Sequence, residues 1–253
     1  MSFEYISTED AIASDGLRMV VVGNVPSPWG EAAKGILHIK GIPWKAVRLV
    51  YDSPAFDAWA KQQSGPVAIL NDAAPRSGWR EILELAERLA PEPSLIADDA
   101  ETMFALSHDL VGENGLGWVR RLQLVDVGLR GEGGFLEPVA KFIGQKYGFT
   151  PETGAASTAR VHDLLEQFSD RLIAQKAAGS PYYLGTKPSA VDIYSATIMA
   201  LFSPLPEAQC VMKSTTRAAF STLDDATKAA LNPILLAHRD HMYEAHLEMP
   251  LSL

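Results

Sequence analysis

Cysteine is almost missing: Cys210 is the only one in 253 residues. A disulfide within the chain is therefore impossible, and Cys210 reads as a small apolar side chain rather than a nucleophile. Clusters of positive charge are missing too. With 22 Lys and Arg against 31 Asp and Glu, the net charge is -9 and the pI about 5.2, which argues against nucleic acid or an anionic membrane as a partner. No apolar run approaches the length of a membrane span. The opening residues carry Glu4, Glu9, Asp10 and Asp15 instead of a basic then apolar leader, so a cytoplasmic protein is expected. No segment repeats another at a fixed period, which excludes a helical-repeat array. What the chain has in quantity is apolar sequence: 47% hydrophobic residues suffice for the cores of one large or two ordinary domains.

The most informative stretch is residues 20–42, VVVGNVPSPWGEAAKGILHIKGI. The β-branched run Val20-Val21-Val22 suits a buried strand, Gly23-Asn24-Val25-Pro26 breaks it, and a helical pattern follows. Ser27 stands at the N-cap, Pro28 at the first helical position and Glu31 in the first turn. Unpaired N–H groups and the helix dipole make that end favourable for an anion, a thiolate included, and a hydroxyl there can donate to it.

Further on, the alternation through residues 44–50 marks a second strand, followed by a loop and short helix over 53–63. Gly65-Pro66 then opens an apolar strand, a place where a missing donor suits a first residue or an edge. After Arg76, Ser77 reads as the N-cap of a helix whose apolar face is Ile82, Leu83, Leu85, Ala86 and Leu89. Pro91-Glu92-Pro93-Ser94 reads as a linker. Beyond it every pattern is helical: a helix from Asp98, interrupted over 112–117 and resumed at Trp118, another over 135–147, and a long amphipathic helix carrying Val161, Leu164, Leu165, Phe168 and Leu172. Ser189 and Asp192 form a capping box ahead of an apolar helix. His238 and His241 can share a helix face, but the run reads better as the polar side of a last helix, and no metal is expected. The apolar end, Met249-Pro250-Leu251-Ser252-Leu253, is expected to dock on the body or over a cleft.

Ser27-Pro28-Trp29-Gly30-Glu31 with the later Lys40-Gly41-Ile42, together with the Pro66 strand and the Ser189–Asp192 box in this order, resembles the cytosolic glutathione transferase family. The resemblance implies an α/β thioredoxin-like N-terminal domain followed by an all-α helical C-terminal domain. The expected divisions are an N-terminal extension over 1–17, the thioredoxin-like domain over 18–90, a linker over 91–97 and the helical domain over 98–253. It implies a homodimer, glutathione as co-substrate, a cis peptide before Pro66, and a role in detoxification. Ser27 falls on the activating position, and Trp29, Gly65, Pro66, Arg76 and Ser77 on positions that bind glutathione, with Trp118 in the pocket for a small hydrophobic electrophile. One position departs from the pattern. The family has Glu before the serine that holds the γ-glutamyl carboxylate, whereas this chain has Arg76, able to offer a two-pronged hydrogen bond instead. Because position 27 is serine, thiol–disulfide exchange through a protein thiolate is ruled out there. Conjugation or a glutathione-dependent isomerase or lyase step is expected, the alternative being a non-catalytic ligand-binding protein of the same fold.

Overall fold

The computed structural model describes residues 4–252. Its first part is a four-stranded sheet: β1 (Tyr5–Ile6), β2 (Leu17–Val21), β3 (Lys45–Arg48) and β4 (Val67–Leu70), in spatial order β1-β3-β2-β4. All of β2 is buried, as a strand covered on both faces must be. It runs parallel to β3, with Met19 opposite Ala46, and antiparallel to β4, with Met19 opposite Ala68. Side chains alternate between faces. Leu17, Met19 and Val21 point into the larger core, shared with the helical part. Val20 joins Val47, Val67 and Ile69 in a smaller core beneath two short helices, α1 (Thr8–Ala13) and α3 (Pro54–Ala60). The opposite face carries α2 (Pro28–Ile39) and α4 (Trp79–Leu89).

Residues 5–13 are not an extension leading into the sheet domain but part of it. Tyr5 and Ile6 pair in parallel with Ala46 and Val47 at the sheet edge, and Ala11 of α1 is fully buried. A two-residue strand has no period to read, and a six-residue helix with a single buried residue shows no stripe,.

After α4 the chain is helical: α5 (Ala100–Val111), α6 (Leu116–Leu129), α7 (Glu137–Lys146), α8 (Pro151–Ala177), α9 (Ala190–Ile198) with a 3-10 turn at Met199–Leu201, α10 (Ser214–Phe220), α11 (Asp225–Ala230) and α12 (Pro233–Ala245). The segment joining the two parts is tied down. Lys40 Nζ donates to Pro93 O at 2.8 Å and pairs with Glu87 at 2.8 Å, and Glu87 also accepts from Leu95 N at 2.9 Å. Helix α9, buried along its whole length, packs on both α2 and α5 and so joins the sheet domain to the bundle. Its capping box forms as expected, with Ser189 N donating to Asp192 Oδ2 at 2.8 Å. His238 is no part of a polar face: it is buried, and its Nε2 donates to Asp192 Oδ1 at 3.0 Å.

The C-terminal tail docks on the body, along α2. Leu251 N donates to Gln209 O at 2.7 Å, and Lys34 Nζ reaches Ser252 O at 2.5 Å and Glu31 Oε1 at 2.7 Å. Burial pushes the Glu31 carboxyl up to about 6, against the pull of Lys34. A carboxyl whose folded pKa is raised favours folding in its protonated form. Its contribution to stability is therefore most favourable below the unfolded value near 4.5 and falls as the pH rises through about 6. A carbon-detected NMR titration of Glu31 is expected to give a midpoint near 6; a midpoint at or below the usual carboxylate value would mean that Lys34 outweighs burial.

Candidate active site

Helix α2 follows β2 after a short turn, residues 22–27, so its N-terminus lies beyond the C-terminal end of that central strand. Asn24, in the left-handed region with φ 62°, a conformation asparagine tolerates better than most residues, turns the chain between them. Ser27 is the N-cap, and its carbonyl accepts from Glu31 N at 2.8 Å. Its hydroxyl makes no capping bond. The hydroxyl therefore stands at the positive end of the helix without a capping role,.

Ser27 opens on a cavity of about 280 Å³. Ser64 and Gly65, just ahead of β4, form part of its wall, and the peptide between Gly65 and Pro66 is cis. Leu136, Val139, Phe142 and Ile143 of α7 and its N-terminal approach supply an apolar wall from the helical part, with Phe220 of α10. This accounts for the exposure of Leu136, Val139 and Phe142, at 57%, 43% and 51%, since an apolar face that lines a site need not be covered by protein.

Of the residues singled out in the sequence, Ser27 and Gly65 meet in this cavity. Trp29, Pro66 and Ser77 border a neighbouring crevice of about 10 Å³. Trp29 is committed to joining the domains: its Nε1 donates to Val111 O at 2.8 Å. Arg76 lines neither space. Its backbone exchanges two hydrogen bonds with Ala68, and its side chain reaches Ala74 O at 3.4 Å. Ser77 is not the N-cap of α4. That position belongs to Gly78, whose N–H donates to Glu81 Oε2 at 3.0 Å. The Glu81 carboxylate, bonded to the N–H of Gly78, fixes the start of the helix one residue beyond Ser77,. Trp118 does not line the cavity either; it stacks edge-on against Tyr147, 4.9 Å between centroids, and it is Tyr147 that faces the space.

The ionisable residues of the lining, Tyr51, Arg121, Lys146 and Tyr147, were not anticipated. The Arg121 guanidinium is sandwiched between the rings of Trp29 and Tyr147, 4.1 and 4.4 Å from their centroids. Burial lowers its pKa, with the Tyr147 hydroxyl opposing. Lys146 Nζ donates to Gln63 O at 2.7 Å, and its pKa is lowered by partial burial and then by Arg121. Burial also raises the Tyr51 phenol, reinforced by Tyr147. The one available sign was a pair of arginines in the apolar run at 118–125. They do opposite things. Arg120 is inside the core, bonded to Leu201 O, Gln123 and Thr222 O, whereas Arg121, about 100° further round the helix, faces the cavity. Cys210 takes no part: it is buried, absent from the cavity wall, and pushed up to about 11 by its surroundings.

A mixed sheet of this order with helices on both faces, followed by a helical bundle, is a thioredoxin-like domain joined to a helical domain. The chain has the fold of the glutathione S-transferases, which it shares with solved structures across several classes. A glutathione S-transferase from Methylobacillus flagellatus KT with glutathione bound superposes with a TM-score of 0.61 at 16% identity, covering 90% of this chain and 95% of the other. One from Methylobacterium radiotolerans JCM 2831, in complex with glutathione sulfonate, gives 0.59 at 16% identity over 90% and 91%. A beta-etherase from Sphingobium sp. strain SYK-6 gives 0.55 at 16% identity over 89% and 99%. No family model and no curated protein matches the sequence.

Proposed function

We propose that this protein is a glutathione transferase-like enzyme that activates the glutathione thiol for attack on a small apolar electrophile. The observation that carries the reading is the Ser27 hydroxyl: it is unbonded within its own helix cap, lies at the positive end of α2, and faces a cavity whose far wall is apolar. Glutathione would lie along the sheet domain at Gly65, with its thiol at Ser27. A free thiol titrates near 8.5 and is mostly protonated at neutral pH, by the ordinary value for cysteine. A donated hydrogen bond and the end of a helix favour the thiolate, and a shift of two units corresponds to about 2.7 kcal/mol. Ser27 acts in this reading as a donor and not as a base. The thiolate adds to an electrophilic carbon held against α7, and either a leaving group departs or a proton is taken up. The same chemistry serves conjugation, isomerisation or lyase steps. The reading extends to a homodimer acting in the cytoplasm.

One observation favours the second reading, a ligand carrier without turnover. Glu81 already places a carboxylate on the N–H of Gly78, the N-cap of α4, beside Ser77, where the resemblance would seat the γ-glutamyl carboxylate. Calorimetric titration with glutathione separates the two. The enzyme reading expects saturable binding below millimolar concentration that weakens in Ser77→Ala. No heat of binding at millimolar glutathione, with apolar ligands still bound, would leave the carrier.

A further inference from the structure

The cavity has a polar side that the transferase reading does not require. Two cations line it, Arg121 from α6 and Lys146 from the end of α7, and no aspartate or glutamate stands among its lining residues. That is unexpected in a chain of net charge -9. Neither cation forms a salt bridge among the described residues. Arg121 is half-buried, and a charge drawn out of water without a counterion is costly. The rings of Trp29 and Tyr147 return part of that cost to the Arg121 guanidinium through its contact with their faces,. Lys146 keeps one protein acceptor, Gln63 O, and an ammonium has three hydrogens to give,. Both groups are thus held in place with donors to spare. Val139, Phe142 and Ile143, on the same helix as Lys146, set an apolar surface next to this charge. Tyr51 and Phe142 close edge-on at 5.9 Å.

We propose that the second substrate is an apolar, ring-bearing carboxylate, whose carboxylate is bound by Arg121 and Lys146 while its ring lies against α7. The assignment rests on the transferase reading only for calling this ligand a substrate; the pocket's preference for an anion stands on its own geometry. Planar carboxylates match the fork of a guanidinium, and the ammonium can complete the pair. With the carboxylate fixed on the helical side, the rest of a substrate is directed across the cavity toward Ser27. Glutathione also carries carboxylates, so the two sources must be told apart.

The test compares 2-naphthoate with its neutral isostere 2-naphthamide by calorimetry on the full chain, without glutathione, and then titrates glutathione alone. The acid is expected to bind at least about tenfold tighter than the amide, equivalent to about 1.4 kcal/mol. The preference should fall to within about twofold in Lys146→Met and in Arg121→Met, and return in Lys146→Arg. Glutathione affinity should stay the same in Lys146→Met. Lys146 is exposed and outside the core, so its variants remain informative if Arg121→Met disturbs the Trp29 contact. Equal binding of acid and amide, or a preference that survives Lys146→Met, overturns the assignment. So does a loss of glutathione affinity in Lys146→Met with the naphthoate preference intact, because the cation would then serve glutathione. Absent glutathione binding together with an intact preference would sink the transferase reading and leave the carboxylate pocket standing.

Discussion

Asp192→Ala lowers the free energy of unfolding by about 3–5 kcal/mol, since it strands several buried hydrogen-bond donors at once. The carboxylate is fully buried and has four donors: Ser189 N and Oγ at 2.8 and 2.9 Å, Tyr183 N at 2.9 Å and His238 Nε2 at 3.0 Å. Alanine strands all of them at once. Two belong to the cap of α9, one holds the approach to that helix and one comes from α12, so the change loosens the helix that joins the sheet domain to the bundle. Urea unfolding followed by circular dichroism should show the midpoint falling steeply. Asp192→Asn, which keeps the shape and one acceptor oxygen, should lie between the two. A loss under about 1 kcal/mol for alanine would mean that water replaces the carboxylate and that the network is not a keystone.

Ser27→Ala has the opposite character: turnover with glutathione falls by about a hundredfold or more, the usual cost of removing one donor from a developing anion, while stability hardly changes. An N-cap serine that bonds its own helix costs about 1 kcal/mol to replace. Ser27 makes no such bond, and Pro28 fixes the first turn without it. Steady-state kinetics with an electrophile found by thiol loss, alongside thermal unfolding, measures both halves. A variant that keeps full activity would show that backbone N–H groups of α2 alone hold the thiolate.

How far the site could be read in advance followed from how local its causes are. The turn from β2 into α2 is written in seven residues, so Ser27 and its helix were legible, as was the Ser189–Asp192 box. The cis Gly65–Pro66 step followed from the resemblance and is present. Serine at 77 looks like the cap from its residue type, yet α4 starts one residue later, where Glu81 closes on the N–H of Gly78. The resemblance puts Trp118 in the pocket, yet rotation about its helix turns Arg121 to the cavity and leaves Trp118 against Tyr147. Nothing local separates Arg120, which ends in the core, from Arg121, which does not; only the positions of Leu201, Thr222 and Trp29 decide it. The edge strand at Tyr5 and Ile6 was hidden for a similar reason, its pairing with β3 being visible only once the sheet is assembled. His238 looked like one of several surface histidines until Asp192, 46 residues earlier, was placed against it.

In the proposed reaction the end of α2 at Ser27 stabilises the thiolate of bound glutathione. Titrating the ultraviolet thiolate absorbance of saturating glutathione on the protein against pH measures this directly. The expected midpoint lies about two units below the free thiol value and moves back upward in Ser27→Ala. A bound thiol that titrates where the free one does, in both proteins, would contradict it.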